Sequence, residues 1–285
     1  MAQARGADVT IAVVVQVMDG LAIAADSTST IASEGNVFNT YDNANKVVNL
    51  RKGLPIGIAF WGTGSMGKAS LSTLAKDLRR RLSGELPEFD HWRLEEEDWS
   101  VHGVAQRVAE FFYEETYQAL DDDEQTPSTG MVVYGFTPGR PVSEKYELTV
   151  GPNGCEGPGE ENPQGDLADI VWRGVTDPIT RLTLGFSERL PEVLVADLGL
   201  QDDQVDAAVE VLRDRLIDVP VHPAMPIQDA IDLAEFLVEA TKQWVRFLPG
   251  APTVGGPTEL AAVTKHEGFK WVQRKFFFQP DMNPG

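Results

Sequence analysis

Few residues in this sequence stand where the familiar kinds of catalytic centre would need them. The four histidines, His91, His102, His222 and His266, stand alone. Without the paired His or Glu spacing of a zinc site, each reads as a surface or packed residue. No Gly-x-Ser-x-Gly elbow is present to present a serine nucleophile. Cys155 is the sole cysteine and lies among Gly, Pro and Glu, which rules out a disulfide framework or a thiolate metal site within one chain. With no basic neighbour to favour the thiolate, it reads as a passive loop thiol. Thr63-Gly64-Ser65 has the look of a phosphate-binding turn, but no Gly-Lys-Thr/Ser follows at the required spacing. Thr10, Asp26 and Lys46, taken singly, are a β-branched residue opening a strand, an Asx-turn residue and a strand-edge lysine.

Their context changes that reading. The run Asp19-Gly20-Leu21-Ala22-Ile23-Ala24-Ala25-Asp26-Ser27-Thr28-Ser29-Thr30 resembles the second strand and following turn of proteasome β subunits. Thr10 lies sixteen residues before Asp26, the interval that family keeps between nucleophile and acid. Lys46 opens Lys-Val-Val-Asn-Leu, where the family places its catalytic lysine, about four residues later here through an extension in the loop Asn36 to Asn45. Ala59-Phe60-Trp61-Gly62-Thr63-Gly64 is similar to the family's strand-to-helix turn with its oxyanion-hole glycine. Thr253-Val254-Gly255-Gly256-Pro257, before two closing strands, is similar to the end of bacterial relatives of the HslV and Anbu type.

The resemblance implies an N-terminal nucleophile hydrolase of the α+β class. Its fold would be a four-layer αββα sandwich, two stacked antiparallel sheets flanked by helices, formed by a single domain over residues 10–285. Residues 1–9 would be a propeptide whose removal frees Thr10. A threonine hydroxyl is a feeble nucleophile without a base, and an N-terminal residue carries one in its own α-amino group, with an intrinsic pKa of about 8. A nearby Lys46 ammonium lowers the proton affinity of both groups, and a buried Asp26 carboxylate holds that lysine charged and aimed. The backbone N–H of Gly62 would stabilise the oxyanion, and Thr30 would hold an extended substrate by strand-like hydrogen bonds.

The substrate implied is a peptide or protein, the assembly a homo-oligomer, ring-shaped in that family, with an ATPase or other activator as a further partner. The alternatives are an inactive scaffold or binding subunit of the same fold, and an amidohydrolase for a small non-peptide amide. No metal or organic cofactor is indicated.

The sequence departs from the family pattern in three ways. Val9 precedes Thr10 where precursors generally carry glycine. The supporting Ser and Asp near the N-terminal amine are replaced by Gly174-Val175-Thr176-Asp177 and Ala251-Pro252-Thr253-Val254, with Thr176 and Asp177 as the candidates to substitute. A register one or two residues different would place Val9 or Asp8 at the nucleophile position; the gap-free register is preferred because the hairpin length then fits.

The elements that must hold these residues follow from periodicity. Residues 10–17 and 20–25 are apolar, β-branched runs joined by Met-Asp-Gly, a hairpin signal. A second pair is expected at Lys46 to Leu50 and Ile56 to Trp61, so four strands precede any helix. From Ser65 the period changes to about 3.6 and predicts a helix ending at Gly84, then another from Ser100 to about Leu120. Between them Glu85 to Trp99 reads as a solvated connection, with a lid or partner surface as the sharper alternative. Met131 to Phe136 and Lys145 to Val150 form a third hairpin, and 151–167 a Gly/Pro/acidic loop. A strand at Asp169 to Trp172, three helices at 177–196, 202–216 and 226–247, and strands Glu259 to Lys265 and Phe269 to Arg274 complete the chain.

Bulk properties bound the partners. With 42% hydrophobic and 24% charged residues the 285-residue chain should fold around a sizeable core. The 44 acidic against 24 basic residues leave a formal charge of −20, unfavourable to nucleic acid and to anionic membranes. No signal-peptide core or spanning segment is evident, and a cytoplasmic location is expected.

Overall fold

The computed structural model describes residues 10–33, 36–121, 124–125, 127–250 and 252–275, without the side chains of residues 30–38. The expected propeptide, residues 1–9, lies outside the described residues, as does the Thr30 side chain. The chain begins with the predicted hairpin, β1 (Ile11–Val17) and β2 (Gly20–Ala25), fully buried along both strands. A second hairpin follows, β3 (Ser29–Ser33) and β4 (Asn36–Tyr41), where a loop is expected over Asn36 to Asn45. Then come β5 (Val47–Asn49), β6 (Ile56–Gly62) and a two-residue pair, β7 (Ser65–Met66) and β8 (Ala69–Ser70).

Among the described residues eight strands therefore precede the first helix, not four. Polar β3 and β4 lack the apolar alternation that marks a half-buried strand. The pair β7 and β8 displaces the helix start to Leu71, so Thr63-Gly64 does not lead straight into it. Helix α1 (Leu71–Leu82) is capped by Ser70, whose hydroxyl accepts from the Thr73 N–H. Residues Pro87–Trp92 form a short 3₁₀ segment in the acidic connection, and Trp92 with Leu94 inserts into the core there. Helix α2 (Val101–Ala109) is capped by Ser100 and runs on as a π-helical segment, Glu110–Tyr117.

The third hairpin forms as expected from β9 (Thr129–Gly135) and β10 (Glu144–Gly151). The anticipated loop 151–167 instead contributes β11 (Gly154–Glu160), a mostly exposed edge strand on β10. Backbone pairing holds it without an apolar face, which is why periodicity misses it. After β12 (Asp169–Gly174), the single helix expected over 177–196 is two, α3 (Asp177–Leu184) and α4 (Leu190–Leu198), because Gly185 takes a left-handed conformation (φ 76°) and ends the first. Helices α5 (Asp202–Leu216) and α6 (Ile227–Phe247) precede the closing hairpin, β13 (Glu259–Thr264) and β14 (Gly268–Gln273).

The fold is mixed α/β, built on two five-stranded antiparallel sheets. One has the order β12-β1-β2-β13-β14 and the other β11-β10-β9-β6-β5. Alternation along the strands gives each sheet two apolar faces. Ala12, Val14, Ile23 and Val263 of the first sheet share one cluster with Ala59, Val132 and Tyr134 of the second. Opposite residues of the first sheet, among them Val13, Val15 and Ala24, pack with Ile231, Ala234 and Val238 of α6. Ile58, Phe60 and Met131 on the second sheet pack with Leu78 of α1, Val104 of α2 and Phe112. Helix α4 buries none of its residues and α5 only Val205, so Val195, Leu198, Val211 and Leu216 remain exposed. Among the described residues no helix is long and apolar enough to cross a membrane.

The inter-sheet core is tight at Gly57, where an added Cβ would lie 2.6 Å from the fully buried Tyr134 ring. Gly57→Ala should lower the free energy of unfolding in urea by about 1–3 kcal/mol through overpacking. Gly159→Ala on exposed β11, with nothing within 4 Å of the new methyl, should change it by no more than about 0.5 kcal/mol.

Candidate active site

Thr10, Asp26, Lys46 and Gly62 all sit at strand ends. Thr10 directly precedes β1 and Asp26 directly follows β2, and because these strands are antiparallel both fall at the same end of the first sheet. Lys46 precedes β5 and Gly62 ends β6, an antiparallel pair in the second sheet. The Lys46 ammonium closes the gap between the sheets. Its Nζ donates to Thr10 Oγ1 at 2.7 Å and to Asp26 Oδ1 at 2.7 Å.

The hairpin that brings Asp26 to Thr10 ends in a substitution of side chain for backbone. Asp26 N–H donates to the Ile11 carbonyl at 3.2 Å, while Ile11 N–H turns to Asp26 Oδ1 at 3.0 Å. Asp26 Oδ2 accepts from the N–H groups of Thr28 and Gly255, both at 3.1 Å. Three backbone donors and one ammonium thus fill the acceptor sites of a carboxylate with no exposed surface. Such satisfaction is what makes a buried ion pair tolerable, since desolvation otherwise costs several kcal/mol per ion.

Lys46 is 6% exposed. Burial is the main influence on it and pushes its pKa below the ordinary 10.5, against the opposing attraction of Asp26 and, more weakly, Glu259. Its backbone is held as firmly as its side chain. Glu259, at the start of β13, accepts through Oε2 from the N–H groups of Lys46 at 2.7 Å and Val47 at 3.1 Å. Sequence reasoning misses Glu259, because a lone glutamate opening a strand looks like a solvated edge residue; its 1% exposure is a tertiary fact.

Thr10 is 2% exposed and has φ 106°, an outlying conformation for a β-branched residue. Backbone strain of this kind amounts to about 1–3 kcal/mol and persists only where the surroundings enforce it. The enforcing contacts are the Lys46 bond to its hydroxyl and the Val175 N–H, which donates to its carbonyl at 2.8 Å.

A narrow cleft of about 20 Å³ opens beside these groups, lined by Thr10, Ser29, Lys46, Trp61, Gly62 and Thr63 among others. That is room for about one water molecule. Gly62 adopts φ 86°, and a Cβ there would come within 2.7 Å of the Ser128 carbonyl oxygen, so only glycine fits this wall. Thr30 lies in β3 opposite Thr40. Asp177, one of the two candidate substitutes, is committed to the start of α3, where its carboxylate accepts from Arg181, Ser187 and the Glu188 N–H. Thr176 caps the same helix without a side-chain cap bond. At these two segments the groups that do reach the site are backbone donors, Val175 N–H and Gly255 N–H.

Compared with known proteins, the sequence matches no family model and no curated protein.

Two consequences of the buried pair are measurable. Lys46→Met strands the Asp26 charge and should lower stability by about 3–5 kcal/mol at neutral pH. Because the folded pKa of Lys46 is below 10.5, the unfolded chain binds more protons between those two values, and wild-type stability gains from rising pH across that window. Urea titrations at stepped pH should show the wild-type advantage over Lys46→Met growing toward 10.5. A constant difference would mean Lys46 is not depressed.

Proposed function

We propose that this chain is a proteasome-like threonine-type peptidase or amide hydrolase with the four-layer αββα fold of the N-terminal nucleophile hydrolases. The observation that carries the reading is the placement of Thr10 Oγ1 2.7 Å from a buried lysine that is itself 2.7 Å from a buried aspartate. Arrangement of the two sheets, with apolar clusters between them and helices on their outer faces, supports the fold.

In this reading residues 1–9 are removed and the α-amine of Thr10 becomes the base. It takes the Oγ1 proton as the oxygen attacks the substrate carbonyl carbon. Lys46 stays protonated, held by Asp26, and its positive charge favours both the free amine and the developing alkoxide. The tetrahedral oxyanion forms beside Gly62, whose N–H stabilises it. Collapse expels the amine, which leaves with the proton from the α-ammonium, and yields an ester on Thr10. Water activated by the same amine then hydrolyses that ester and regenerates the hydroxyl.

The strained φ of Thr10 fits a residue whose preceding peptide bond is to be broken, since cleavage releases the constraint. A homo-oligomer, ring-shaped as in the family, with an ATPase or other activator and a cytoplasmic setting, belongs to the same reading through the resemblance.

Intact-mass measurement of the purified protein should show a chain beginning at Thr10. Thr10→Ala should keep residues 1–9 and lose amidase activity to background, and an epoxyketone should attach to Thr10 of the wild type. An uncut chain whose amidase activity survives Thr10→Ala would end the proposal.

A further inference from the structure

Beside the Lys46–Asp26 pair lies a second buried pair that the proposed chemistry does not use. Glu259 faces the space between the sheets, and while its Oε2 holds the backbone of Lys46 and Val47, its Oε1 lies 3.5 Å from Nζ of Lys275. Lys275 follows β14 by two residues, and its side chain is only 7% exposed. The same ammonium donates to Ser27 Oγ at 2.6 Å, one residue beyond Asp26, and to the carbonyl of Ala44, two residues before Lys46. Ser27 in turn donates to the Pro257 carbonyl and bonds the Gly255 carbonyl through its N–H at 2.9 Å. A solvated lysine would give its protons to water; this one gives them to three segments of the protein.

We propose that Lys275 is a positioning residue for the Thr10 site: with Glu259 it fixes the stretches that carry Asp26 and Lys46, and it balances the charge around the Lys46 ammonium. Its catalytic consequence rests on the function proposed above; its electrostatic consequence does not. Four ionisable groups crowd here, Asp26 after β2, Lys46 before β5, Glu259 on β13 and Lys275 after β14. The Tyr134 phenol on β9 faces the same space, and burial, reinforced by Glu259, pushes its pKa well above the ordinary value, which keeps it neutral. Two carboxylates therefore answer two ammonium groups.

The signs follow directly. Loss of the Lys275 charge leaves Glu259 uncompensated, so the potential at Lys46 becomes more negative and Lys46 keeps its proton to higher pH. Loss of the Glu259 charge does the opposite. Removing both together returns Lys46 to nearly its original field, and a double-mutant cycle reads the coupling.

The test uses full-length protein with ¹³Cε-labelled lysine, in which the Lys46 titration is followed by NMR in the wild type, Lys275→Met, Lys275→Arg, Glu259→Gln and the Glu259→Gln/Lys275→Met double variant. Expected is an upward shift of the Lys46 midpoint in Lys275→Met, a downward shift in Glu259→Gln, and a near wild-type midpoint in Lys275→Arg and in the double variant. Epoxyketone labelling of Thr10 in Lys275→Met should slow roughly tenfold to a hundredfold as the site loses alignment, with its acid limb moved to higher pH. Should Lys275→Met fail to fold, Lys275→Gln, whose neutral amide can still donate to Ser27 and Ala44, gives the same comparison. A Lys46 midpoint unmoved by Lys275→Met, or moved in the same direction by both single changes, overturns the proposal. A wild type that is neither cut nor labelled overturns the hydrolase instead, and the titration still decides the role of Lys275.

Discussion

The contact on which this architecture turns is the one made by a single ammonium group between two sheets. Lys46 comes from the second sheet, and its two partners, Thr10 and Asp26, come from the first. An unpaired charge there would be expensive, because Asp26 has no exposed surface and Lys46 only 6%. The protein resolves this by converging strand ends. Each strand stops as its side chain reaches the gap, and the backbone amides freed by stopping turn toward the carboxylates of Asp26 and Glu259. Site and fold are therefore one construction: the sheet spacing sets the reach of Lys46, and the ion pair fixes how the sheet ends meet.

Charge in the site is arranged in alternation rather than in excess. Asp26 lies against Lys46, whose backbone lies against Glu259, which faces Lys275. Such buried pairs contribute little net stability compared with an apolar replacement, but the geometry they require is narrow. A group of this kind suits a site where the hydroxyl of one threonine must stay within hydrogen-bond reach of one lysine. It also explains why a strained backbone at Thr10 is held rather than relaxed.

The sequence makes visible whatever local pattern determines. The hairpins β1–β2, β5–β6, β9–β10 and β13–β14 carry apolar runs and turn residues and the helix from Ser100 a start signal, so these were legible, while the start of α1 after the short β7–β8 pair and the break at Gly185 were not. β11 was not, since an exposed edge strand rich in Gly and Pro has no periodic face and owes its existence to β10. The hairpin β3–β4 escaped because its sequence lacks apolar alternation. Thr10, Asp26 and Lys46 were legible only because a recognisable run of residues surrounds the aspartate. Glu259 and Lys275 had no such context; more than 200 residues separate each from the site it serves, and only the packing of the last hairpin brings them there.

Helices α4 and α5 stand apart from this tightly determined centre. With a single buried residue between them, they are attached to the rest of the chain by few apolar contacts, and their amide bonds face solvent. Local opening of that helical pair exposes little new surface, so its backbone protons should exchange with deuterated solvent through small fluctuations. The β1–β2 ribbon, buried on both faces, can release its protons only when the whole molecule comes apart.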